Sequence, residues 1–76
     1  MNNQKNKRIW IWMQENNLHK AMYNFSEQIL IVYNERDEIV LKRKGITPAQ
    51  FAKLETIFVS IGARRIDNRK EPFTII

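Results

Sequence analysis

Apolar residues are spaced differently along successive parts of this chain, and each spacing predicts a different element. The run RIWIWM, Arg8 to Met13, sets five apolar residues behind one cation; its β-branched and aromatic content predicts a strand. After the polar QENN, Leu18, Ala21, Met22 and Phe25 stand at i, i+3, i+4 and i+7. That spacing predicts one stripe of a short helix, with Asn16 or Asn17 capping its start. Gln28 to Asn34 reads as a strand apolar on both faces, ERDE as a charged turn, and Glu38 to Gly45 as an alternating strand, together a β-hairpin. No Asn-Gly or Asp-Gly pair marks its turn, so the expected loop is about four residues rather than two.

The clearest signals surround residues 47–61. Thr47 suits an N-cap, Pro48 the first helical position, and Gln50 the return half of a capping box, with Ile46 ready to staple onto Phe51. Phe51, Leu54, Phe58 and Ile61 keep helical spacing, and Gly62 suits the left-handed stop. Beyond it, Arg64 to Ile66 reads as a short strand and Phe73 to Ile76 as a last strand opened by Pro72, where a missing N–H suits an edge or strand end.

Strand, helix, two strands, helix and strand form the β-α-β-β-α-β order of a ferredoxin-like fold: a four-stranded antiparallel sheet with two helices on one face. The alternative drops the first helix, leaving an antiparallel sheet with one long helix, 47–61. Residues 1–7, polar and basic after Met1, read as a frayed tail, and 8–76 as a single α+β domain.

In the ferredoxin-like fold the helices cover one sheet face and leave the other open. Turning Ile9, Ile11 and Met13 inward saves the most aliphatic surface, and puts Arg8, Trp10, Trp12 and Gln14 outside. Ile39 and Leu41 inward leave Val40, Lys42 and Lys44 outward. The open face is then expected to carry both tryptophans beside cations, as a stacking platform for unpaired bases or as an interface. An opposite register would make the indoles core. RNA-recognition motifs use the ferredoxin-like order, but EIVLKRK lacks the Gly-aromatic series of their third strand, so that family is not claimed.

Charge sharpens this picture. Thirteen Lys and Arg against eight Asp and Glu give a net charge of +5, which favours an anionic partner. The cations gather as Lys5, Lys7 and Arg8, as Lys42, Arg43 and Lys44, and as Arg64, Arg65, Arg69 and Lys70. Neighbouring first and third strands would merge the first two groups into a phosphate-binding stripe. The candidate binding residues are therefore Arg8, Trp10, Trp12, Lys42, Arg43, Lys44, Arg64, Arg65, Arg69 and Lys70.

Candidate chemistry is sparse by comparison. With no cysteine and one histidine, His19, disulfides, thiolate metal sites and all-histidine sites are excluded. Carboxylates are scattered, Ser26 and Ser60 have no base at readable spacing, and the two glycines form no phosphate loop. The expectation is a non-enzymatic binding module without cofactor, metal or small-molecule substrate. Its expected partner is single-stranded RNA or DNA, or else an acidic protein surface, and a homodimer is expected because so small a core gains from a second copy. The alternative function is a dimeric regulator or inhibitor that docks a protein on its apolar sheet face. No apolar run is long enough for a bilayer, and the cysteine-free composition fits the cytoplasm.

Overall fold

A computed structural model describes residues 6–66 of the chain. Five strands and one helix follow in the order β1 (Lys7–Gln14), β2 (Asn17–Asn24), β3 (Ile29–Tyr33), β4 (Ile39–Lys44), α1 (Pro48–Ser60) and β5 (Arg64–Arg65). They build one antiparallel sheet ordered β4-β3-β2-β1-β5, with α1 packed on one face. This overturns the ferredoxin-like expectation of four strands and two helices; the one-helix alternative has the right layers. The expected last strand, 73–76, lies outside the described residues.

The first expected helix is strand β2. Glu15 and Asn16 both take positive φ, 53° and 67°, the paired left-handed conformation of a two-residue hairpin turn whose twist matches its flanking strands. Asn tolerates this conformation better than most residues, so Asn16 turns the chain back rather than capping a helix. The segment also carries a period-two pattern in which His19, Ala21 and Tyr23 face one side and Leu18, Lys20 and Met22 the other. Ala21 belongs to both this pattern and the helical one. Pairing decides between them, because β2 lies between β1 and β3 and bonds to both neighbours, satisfying backbone groups that a short helix leaves open at its ends.

Other expectations hold locally. The β3–β4 hairpin turns through residues 34–38, where the Asn34 carboxamide oxygen accepts from the backbone N–H of Arg36 at 2.9 Å and of Glu38 at 3.0 Å. A bulge beside Val32 and Tyr33 shifts the pairing so that Leu41 opposes Val32 while Ile39 opposes Tyr33. Leu41 thus lies on the helix side as expected, and Ile39 does not. Helix α1 has its capping box, with Gln50 N–H donating to Thr47 Oγ1 at 3.2 Å and Thr47 N–H to Gln50 Oε1 at 3.0 Å. It stops at Gly62, whose φ is 84°. At the other end Lys7 opens β1, and the Asn6 carbonyl accepts a backbone bond from Phe25 N–H at 2.8 Å.

The core lies between α1 and the centre of the sheet, in Trp10, Ala21, Tyr23, Leu30, Val32, Phe51 and Phe58. Phe51 stacks on Tyr23 at a centroid distance of 4.2 Å, and the buried Tyr23 hydroxyl donates to the Ile46 carbonyl. Burial raises the Tyr23 pKa above its ordinary value, because the phenolate loses more hydration than the phenol.

Candidate nucleic-acid interface

The two tryptophans are the first correction at the expected site. Trp10 is 9 % exposed and belongs to the core under α1. Its indole N–H donates to Glu55 Oε2 at 2.8 Å, and Arg8 Nη1 donates to the same carboxylate at 2.9 and 3.0 Å. Trp12 is half-buried on the same side, with its ring 5.3 Å from Phe58 and 5.7 Å from His19, nearly parallel to both. The open-face assignment of Arg8, Trp10 and Trp12 is therefore reversed.

Pairing makes room for the indole under the helix: Trp10 stands directly across from Ala21. A methyl group opposite an indole leaves room for the ring, and Glu55 supplies the partner that a buried indole N–H requires. His19 packs against Trp12 and has Nδ1 3.2 Å from the Asn17 carbonyl.

Strand pairing defines what the opposite face carries. Residues paired across neighbouring strands share a face, so Lys7, Asn24, Ile29 and Lys44 form one row, and Ile9, Met22, Ile31 and Lys42 the next. A third row joins Arg64, Ile11, Lys20, Tyr33 and Ile39. An aliphatic centre thus lies between lysines on both flanks. Between Lys7 and Lys42 it dips into a depression of about 210 Å³ with Met22, Ile29 and Ile31 at its floor and Asn24 and Glu27 beside it. The Asn24 carboxamide oxygen accepts from Glu27 N–H at 2.9 Å.

The cationic candidates divide accordingly. Lys42 and Lys44 lie on the open face as expected. Arg43, paired with Leu30, turns to the helix side, where its Nη1 is 3.4 Å from the Lys42 carbonyl. Arg64 and Arg65 are exposed on β5, at the edge opposite β4, and Arg64 shares the open face while Arg65 pairs with Trp10. Arg69 and Lys70 lie outside the described residues, as does Lys5.

The first and second basic groups do not meet on adjacent strands. Because β2 and β3 intervene, the backbones of Lys7 and Lys44 are roughly 14 Å apart at the usual strand spacing, yet in one row and on one face. Reading 18–25 as a helix hid three contributors to this face: Lys20, Met22 and the alignment of Lys7 with Lys44. The alternation of Leu18, Lys20 and Met22 against His19, Ala21 and Tyr23 is the signal that locates them.

Acidic residues gather at the other end of the sheet. Glu35, Asp37 and Glu38 crown the β3–β4 turn, where Lys20 Nζ reaches Asp37 Oδ1 at 3.6 Å and lies 5.2 Å from the Tyr33 ring centre. Asp37 is 80 % exposed, so this ion pair is worth little in water, but it orients Lys20 toward the acidic end.

Among the described residues no group of three His, Cys, Asp or Glu is placed to hold a metal, and no helix is long and apolar enough to cross a membrane. Compared with known proteins, the chain matches no family model, no curated protein and no solved structure.

Proposed function

We propose that this chain is a small, non-enzymatic, cytoplasmic module that binds single-stranded RNA or DNA on the open face of its sheet. The observation that carries the reading is the depression between Lys7 and Lys42, with an aliphatic floor and with Lys44 in the adjoining row. Paired lysines neutralise phosphates and release counterions, while an aliphatic floor takes the face of an unpaired base. Duplex nucleic acid keeps its base faces stacked away from a flat sheet and gives such a floor nothing to cover. The tryptophans serve the fold in this reading, and the binding surface is the face they turn away from.

The test is the affinity of a labelled single-stranded oligonucleotide at several salt concentrations. Binding at low salt that weakens steadily as salt rises supports the reading. Absence of binding at low salt, or binding indifferent to salt, overturns it.

A second reading, homodimerisation, draws on a different surface. Ile57 on α1 is 54 % exposed and Ile61, the residue that caps its C-terminus, 52 %, and the stretch from Thr56 to Ala63 carries no charge. A pair of copies joined there buries aliphatic surface where their like net charge repels least, and leaves both sheet faces open. Sedimentation at several protein concentrations tests it, and a monomer throughout rules it out.

A further inference from the structure

The open face continues beyond the lysine-flanked depression into a second one, of about 330 Å³, floored by Ile11 and Leu18 and edged by His19, Lys20, Asn34, Glu35 and Asp37. Its volume is at the small end of ligand clefts, and its chemistry differs from that of its neighbour. Both carboxylates at its edge are acceptors. Glu35 Oε1 receives only a long bond from Leu18 N–H, 3.3 Å, and Asp37 meets Lys20 at 3.6 Å, so both keep accepting capacity. A phosphate is repelled here by two like charges. The group that suits this site is flat and apolar on its faces, with N–H donors on its edge.

Nucleobases divide on that criterion. Guanine offers an N–H and an amino group side by side, and cytosine and adenine each offer an amino group; uracil and thymine offer one N–H between two carbonyls, which the carboxylates repel. Carboxylate side chains accept from the cytosine amino group in nucleic-acid complexes for the same reason. Lys20 and Leu18 stand one and two inward-outward repeats along β2 from Met22, so the floors of the two depressions adjoin, roughly 7 to 14 Å apart on the face. A strand held by its phosphates at Lys7 and Lys42 therefore brings a neighbouring base to the second depression.

We propose that this second depression reads the base, accepting guanine, cytosine or adenine and disfavouring uracil and thymine, with Glu35 and Asp37 as the discriminating residues. The assignment rests on the nucleic-acid reading of the adjoining surface. The experiment compares end-labelled dodecamers of deoxycytidine and of thymidine at low salt, with the native chain and with the double variant Glu35→Gln, Asp37→Asn. The native chain is expected to hold the cytosine strand about tenfold more tightly, as one correct hydrogen-bonded contact to a base discriminates. In the double variant that ratio is expected to collapse toward one, even though loss of two negative charges strengthens binding of both strands. Both side chains lie in an exposed turn, and an unchanged circular dichroism spectrum verifies the fold of the variant. Equal native affinity for the two strands overturns base reading and leaves the nucleic-acid reading standing. A native preference that survives in the double variant removes Glu35 and Asp37 from the role. Failure of both strands to bind overturns the nucleic-acid reading itself, and base reading with it.

Discussion

Trp10 and Arg8 converge on one carboxylate: Trp10 Nε1 reaches Glu55 Oε2 at 2.8 Å, and Arg8 Nη1 reaches both Glu55 oxygens at 2.9 and 3.0 Å. The Glu55 side chain is only 16 % exposed, so removing it strands an indole N–H and a guanidinium at the helix–sheet seam. Glu55→Ala is expected to cost about 2 to 3 kcal/mol, the range for lost hydrogen bonds to a charged group. Glu55→Gln keeps one acceptor and is expected to cost less. Urea unfolding followed by circular dichroism measures both.

With Trp12 stacked between Phe58 and His19 on the helix side, the proposed oligonucleotide binding is expected to proceed without it. Trp12→Phe is expected to change the affinity by less than about twofold, the small effect of a substitution away from the contact surface. Tryptophan emission is expected to stay nearly constant through the titration, and fluorescence anisotropy of the labelled strand to report the binding. A strong quench on adding oligonucleotide would restore the tryptophans as a stacking platform.

Lysines that neutralise phosphates reveal themselves in the salt dependence. Lys42→Gln and Lys7→Gln are each expected to flatten the slope of log affinity against log salt by about 0.7, the value per phosphate contact for a single strand. Arg43→Gln, on the opposite face from these two, is expected to leave that slope nearly unchanged. Equal effects from Arg43 and Lys42 would show that the charge acts as a diffuse field.

Stability in base follows from Tyr23. Its pKa is raised from the ordinary 10.0 by burial, so the folded chain holds the phenol proton more tightly than the unfolded chain. The sign is that of a group whose stabilisation is complete below pH 10.0 and is lost as pH rises through the folded value. Tyr23→Phe is expected to remove this part of the alkaline loss. At neutral pH it is expected to cost about 1 kcal/mol, through the missing bond to the Ile46 carbonyl. Urea midpoints at a series of pH values separate the two effects.

The β1–β2 turn is improvable. Glu15 and Asn16 hold positive φ in a turn that favours Asn-Gly. The double change Glu15→Asn, Asn16→Gly is expected to add up to about 1 kcal/mol, or roughly 4 to 8 °C in Tm for a domain of this size. A thermal melt reads it directly.

Much of this architecture is written locally. Thr47, Pro48 and Gln50 specify the start of α1 within four residues, and the two strand-like runs on either side of ERDE specify a hairpin, because both signals depend on near neighbours. Strand β2 is not written that way. Its helical spacing through Leu18, Ala21, Met22 and Phe25 competes with the alternation through His19, Ala21 and Tyr23, and only the two neighbouring strands break the tie. The face of β1 is also a long-range matter: Trp10 turns inward because Ala21 leaves it space and Glu55 accepts its N–H, and those partners are distant in sequence. Of the candidate site, Lys42, Lys44 and Arg64 were legible by charge and position. Lys20 and the depressions were hidden by the lost strand.

The bulge at Val40 and the cations of β4 also bear on self-pairing through the sheet edge. Among the described residues strand β4 ends the sheet with one side of its backbone unpaired, the kind of margin on which chains stack into fibrils, and an irregular pairing beside Lys42, Arg43 and Lys44 works against the pairing of identical margins. A polyanion that neutralises these lysines removes part of that protection at the moment it binds. Excess polyanion leaves each copy wrapped separately and soluble, whereas a limiting amount brings neutralised margins together, so precipitation should peak near charge equivalence and clear on either side of it.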